Sequence, residues 1–179
     1  GGADELRGDA GPIKVLVNRE SGPLVDALFA ASEEIGVPRN DDYNGRSQEG
    51  IAITQASINN GRRMSTARCY LEPARSRENL VIETHALAEA LILEGTRCVG
   101  VRYTVNGQPR EARASAEVVV STGAINSPQL LELSGIGNPE VLGEHGIEVR
   151  HALKGVGENL RDHFAPRFTE THLCARLVS

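Results

Sequence analysis

Apolar positions change their period several times along the chain, and each change marks an element. Gly11-Pro12 reads as a turn into a short strand over 12–17, where apolar and polar positions alternate only in part. A helix follows, with Ser21 as its cap and Pro23 in its first turn. Leu24, Leu28, Ala31 and Ile35 recur at near-helical spacing until Gly36 and Pro38 stop it. The polar run 40–47 is a loop. Ile51, Ile53 and Ile58 predict extended chain, broken at Asn59-Asn60-Gly61-Arg62-Arg63, after which Ser65 or Thr66 caps a short helix over 67–74.

The second half reads as more β-rich. Residues 79–84 carry strand formers, 87–93 are apolar and ambiguous between helix and strand, and 97–105 place Val99, Val101, Tyr103 and Val105 on one side. Asn106-Gly107 is the strongest hairpin signal, because both central positions of a type I′ turn need positive φ. The returning strand, near 110–114, is polar and expected to be exposed. Val118-Val119-Val120 predicts a strand buried on both faces, ending at Thr122-Gly123 before Ser127 and Pro128 open a helix as N-cap and N1. That helix stops at Gly135-Ile136-Gly137, and another runs from Asn138-Pro139 to Gly146. Strand, glycine turn and helix in this order make an α/β fold the expected class, in which ligands sit at the carboxyl ends of strands.

Composition narrows the functional classes. The 179 residues are 40% hydrophobic and 24% charged, with net charge −5, enough for one medium domain or two small lobes and against disorder. No apolar stretch approaches the roughly 18 residues of a membrane span, and the first residues lack a signal peptide's basic flank and apolar core. The acidic balance, 3% aromatic content and absence of a Lys/Arg run argue against nucleic acid as a partner. Cys69, Cys98 and Cys174 are scattered and odd in number, which fits reduced thiols in a cytoplasmic protein. His85, His145, His151, His163 and His172 show no metal-ligand spacing, so no metal site is expected.

Several short motifs carry little alone. Gly135-Ile136-Gly137 follows a helix and has Glu140 where a dinucleotide fingerprint needs its third glycine, so a helix C-cap is favoured; 155–160 fails in the same way. Asp162-His163 are adjacent and point in different directions, with no nucleophile evident. Arg62-Arg63 is two charges and not a patch.

The long run from Gly123 through Ala124, Asn126, Ser127 and Pro128 to Gly137 closely resembles the second signature of the glucose-methanol-choline (GMC) family of FAD-dependent oxidoreductases. The resemblance extends to Gly11-Pro12, to 41–45, to 60–68 and to 155–163, in family order, with choline-dehydrogenase-like bacterial alcohol dehydrogenases as the nearest branch. It implies that the chain is a central slice of a longer protein. The glycine-rich FAD loop and the catalytic C-terminal His are then missing, and no residue here is assigned a catalytic role.

By resemblance, 1–11 is a leading loop, 12–76 belongs to the substrate lobe, 77–160 to a Rossmann-like FAD lobe, and 161–179 begins the next substrate-lobe segment. The isolated slice is then α+β in character. The strand at 118–120 and the turn at Thr122, Gly123 and Ala124 would lie under the adenosine and pyrophosphate half of FAD. Ala88 takes the position of a Val whose main chain contacts the adenine; main-chain contacts survive Val→Ala. The implied activity is hydride transfer from an alcohol to flavin N5, with oxygen, a quinone or a dye as acceptor. A hydroxynitrile lyase that keeps FAD without turning it over, or a stand-alone non-catalytic module, are the alternatives. Buried strands without their neighbours would expose apolar edges, so self-association of the slice is also expected.

Overall fold

The computed structural model describes residues 3–18 and 21–165. Gly1, Gly2, His172, Cys174 and most of the 161–179 segment lie outside the described residues. The chain divides into two compact units, residues 1–82 and 83–179. It mixes short helices with mainly antiparallel strands, so the class is mixed α and β, with the α+β character expected of the slice.

Unit 1 is built from short pieces around one helix. Strand β1 is only Leu16–Val17, shorter than the expected 12–17, and pairs antiparallel with β2, Gln55–Ala56. Helix α1, Pro23–Glu34, has Gly22 and not Ser21 at its N-cap, and no side chain caps it. Its apolar face is only partly used: Phe29 and Ser32 are buried, whereas Leu24, Leu28 and Ile35 are exposed. Asn60 and Gly61, with φ of 49° and 71°, turn β3 (Ile58–Asn59) into β4 (Arg62–Arg63), so the expected break is a hairpin. The 67–74 helix begins as a π-helical turn, Ala67–Leu71, and ends as α2, Glu72–Ala74. Ser65 supports its start, its Oγ accepting the Arg68 N–H at 3.3 Å.

Two arginines tie the leading loop of unit 1 to the loop at 40–47. Arg7 bonds both oxygens of Asp42 and also Asp4, and Arg46 bonds both oxygens of Glu5. The Arg7 guanidinium holds Asp42 and Asp4 below the ordinary carboxylate value, and Arg46 does the same to Glu5. A depressed folded-state pKa contributes stability that is present above the unfolded value, near pH 4, and lost as pH falls through the folded value. The loop contact is therefore expected to hold from pH 7 to about 5 and to loosen below about 4. Amide exchange at Gln55, whose N–H bonds the Tyr43 hydroxyl at 2.9 Å, reports it. Exchange at that amide unchanged between pH 6 and pH 3, after correction for intrinsic rates, would rule out the linkage.

Unit 2 is organised by a meander of β5 (Ala86–Glu94), β6 (Arg97–Val105) and β7 (Gln108–Arg113). Residues 87–93 are thus strand. Asn106 and Gly107, at φ 52° and 75°, form the predicted turn, and β7 is exposed throughout. After the sheet, the chain turns at Gly123 (φ 90°) into α3, Gly123–Leu133. Next come β8 (Ile136–Gly137), α4 (Pro139–Glu144) and β9 (His151–Ala152), with β8 and β9 parallel. Asn138 caps α4 through the Glu140 N–H at 3.2 Å, and Gly146 follows it at φ 67°.

Three expectations fail in unit 2. Val118-Val119-Val120 form no strand and Val119 is 75% exposed, because no other described strand lies alongside to take their hydrogen bonds. Residues 79–84 likewise stay outside the sheet, which starts at Ala86. Finally, α3 begins five residues before Pro128, with Thr122 at its N-cap. Pro128 sits inside the helix, where it forgoes the bond to the Ala124 carbonyl. Ser127 turns its hydroxyl to Thr122 Oγ1 at 3.1 Å instead of capping.

Candidate cofactor-binding site

The candidate positions fall on two elements of unit 2. Thr122, Gly123 and Ala124 are exposed at the start of α3, and no side chain caps its first turn. The first-turn N–H groups of a helix have no partner within it and favour an anion. A Cβ on Gly123 would meet nothing within 4 Å, so the backbone there is open to approach. Ala88 is half-buried on β5, opposite Tyr103.

The other end of α3 is locked to β5. Leu130 is buried, and the buried Ser134 hydroxyl donates to the Leu130 carbonyl at 2.5 Å while accepting the Leu91 N–H at 2.8 Å. Both capacities of one hydroxyl are satisfied without water, which makes this a costly contact to break. It lies inside the family-like stretch, yet nothing in the one-dimensional pattern announces a bond between residues 43 apart.

The Leu91 bond also reveals the sense of the ladder. Leu91 pairs with Val101, but its N–H leaves the sheet for Ser134, so this is a pair whose main-chain groups point away from each other. Tyr103 is two residues further along β6 and has the same sense. Its partner Ala88 therefore directs N–H and C=O outward, to the free edge of β5 on which Ser134 docks. Glu89 is the extra residue of a bulge between Ala88 and Ala90 and sets that phase. Among the described residues, an unpaired main-chain edge and an uncapped helix start are chemically compatible with the adenine and pyrophosphate of the implied flavin cofactor. No hydrogen bond joins Ala88 directly to Thr122, Gly123 or Ala124.

His163 is exposed, and Asp162 Oδ1 accepts its main-chain N–H at 2.7 Å and not its imidazole. Cys69 is buried and Cys98 half-buried, both as free thiols. Among the described residues no cluster of His, Cys, Asp and Glu could hold a metal ion, and no helix is long and apolar enough to cross a membrane.

Residues 5–165 match the family model described as GMC oxidoreductase. The chain belongs to the GMC oxidoreductase family. It is 47% identical over 164 residues to oxygen-dependent choline dehydrogenase of Chromohalobacter salexigens, covering 90% of this chain and 29% of that protein. It is 48% identical over 162 residues to the mitochondrial choline dehydrogenase of Homo sapiens, covering 90% and 27%. An FAD-dependent oxidoreductase from Chaetomium thermophilum superimposes with a TM-score of 0.81 at 29% identity, over 87% of this chain and 28% of that one. The GMC chain thus spans under a third of the length of these relatives. Family membership and the FAD-dependent structural relative indicate FAD as the cofactor.

Proposed function

We propose that the chain is the central part of a cytoplasmic FAD-dependent oxidoreductase that acts on the CH–OH group of a small alcohol, with oxygen, a quinone or a dye as electron acceptor. The family match over residues 5–165, together with 47–48% identity to two choline dehydrogenases, carries this reading. When bound, FAD supplies the hydride-accepting N5 atom.

Within this reading the described residues bind and orient. Ala88 offers main-chain N–H and C=O to the adenine, and the backbone at Thr122, Gly123 and Ala124 faces the pyrophosphate. The segments 12–76 and 161–179 contribute to the substrate lobe and 77–160 to the FAD lobe. None of them takes the proton of the substrate hydroxyl, which falls to a base elsewhere in the full-length protein.

The test compares the chain with the full-length protein. Flavin fluorescence is expected to stay unquenched when FAD is mixed with the chain alone, and no alcohol should reduce a dye through it. In the full-length protein, anaerobic addition of alcohols is expected to bleach the bound flavin. A flavin that no alcohol reduces while a cyanohydrin is cleaved would replace the oxidoreductase reading with a lyase. A yellow, active isolated chain would overturn the view that it is only a part.

A further inference from the structure

Side chains from three parts of unit 2 meet over the sheet row that contains Ala88. By register this row runs Ala88, Tyr103, Arg110. The Tyr103 hydroxyl donates to Glu83 Oε2 at 2.7 Å, and Arg110 pairs with the other oxygen, Glu83 Oε1. One carboxylate is thus held by β6 and β7 together. Glu83 itself stands outside the sheet, three residues before β5 begins. Between them His85 takes φ 56°, a left-handed conformation that a non-glycine residue keeps only when the chain is fixed on both sides. The strand β5 fixes one side and the Glu83 contacts fix the other.

We propose that Glu83, Tyr103 and Arg110 form a positioning cluster that fixes how the chain runs into β5 and so aims the outward main-chain groups of Ala88 at the adenine end of the cofactor. The inference rests on the assignment of Ala88 in the proposed function. The bulge at Glu89 is what makes a fixed start necessary. If β5 slid by one residue and lost the bulge, Glu89 would stand opposite Tyr103 in place of Ala88, and a charged residue would take the outward-facing position. Anchoring Glu83 opposes that slip from the open end of the strand. The hydrogen bond to Glu83 also raises the phenol's pKa above its ordinary value, so Tyr103 stays a donor throughout the physiological range.

Tyr103→Phe, which removes one hydroxyl, and Glu83→Gln test the cluster in the full-length protein. Each is expected to weaken FAD binding about five- to tenfold by flavin fluorescence titration, with the urea midpoint of the apo-protein unchanged. Arg113→Ala, which breaks the Arg113–Glu94 pair at the other end of the sheet, should leave FAD affinity as it was. In the isolated chain, Tyr103→Phe should speed amide exchange at residues 86–88. Wild-type exchange there, or wild-type FAD affinity in both cluster variants, would overturn the proposal. Ala88→Pro separates the two readings, since it deletes an outward N–H without costing a ladder bond. If it alone weakens FAD, the Ala88 assignment stands and the cluster is merely structural. If it binds FAD normally, the Ala88 assignment itself fails.

Discussion

Replacing Gly135 by Ala is expected to destabilise unit 2 by about 3 kcal/mol, from the left-handed strain of a residue with a Cβ and the overpacking it causes. Gly135 has φ 80°, and a Cβ there would lie 2.4 Å from the Glu148 carbonyl oxygen, a backbone atom that cannot rotate aside. The same glycine's carbonyl accepts the N–H groups of Arg150 and His151 at 2.8 and 3.0 Å, so shifting either segment breaks the β8–β9 pairing as well. The sequence pattern favoured a helix C-cap here. The position does end α3, but close approach of a second segment is the stronger demand for glycine. Urea-dependent amide exchange of unit 2 residues measures the effect; Gly143→Ala, where a Cβ meets nothing within 4 Å, is the comparison. Equal midpoints for the two variants would refute the close-approach account.

Local signals in the sequence were legible where the chain itself satisfies them. Asn106-Gly107 makes its turn because both residues adopt positive φ, and Asn138-Pro139 starts α4 because a side-chain oxygen meets its first free N–H. Patterns that need a neighbour were not legible. Val118-Val119-Val120 are written for a sheet interior, and without a described strand beside them they remain irregular, with Val119 exposed and its two neighbours half-buried. The helical spacing of Leu24, Leu28 and Ile35 likewise predicts a buried stripe on α1, yet all three are exposed.

The proposed site rests on resemblance alone, which names Ala88 and Thr122 to Ala124 but none of the long-range contacts around them. Ser134 with Leu91, Arg7 with Asp42, and Tyr103 with Glu83 are paired across 43, 35 and 20 residues, separations at which helical or strand period carries no information. The phase of β5 depends on a bulge at Glu89, which shifts every outward position by one and has no signature in composition.

Leu142→Ala is expected to cost about 3 kcal/mol, the middle of the range for a fully enclosed leucine whose cavity cannot collapse. Leu142 is 1% exposed and is the only large side chain so completely enclosed among the described residues. Its methyl carbons lie 3.5 and 3.6 Å from where a Cβ on Gly137 would stand, so it fills the space that glycine leaves above β8. Its backbone closes both ends of α4, the N–H to the Asn138 carbonyl and the C=O from Ile147, so the helix cannot readily shift inward to fill a void. A domain's net stability is only about 5–15 kcal/mol, and the buried apolar residues of unit 2 among those described are Ala90, Leu91, Val105, Leu130 and Leu142, so one deletion removes a large share. Leu142→Met, which conserves volume, should cost less than about 1.5 kcal/mol, and Val119→Ala almost nothing because Val119 is already in solvent. Urea midpoints of unit 2 should therefore fall in the order Val119→Ala, Leu142→Met, Leu142→Ala. A Leu142→Ala midpoint equal to that of Val119→Ala would mean that the α4 side of unit 2 has no core of its own.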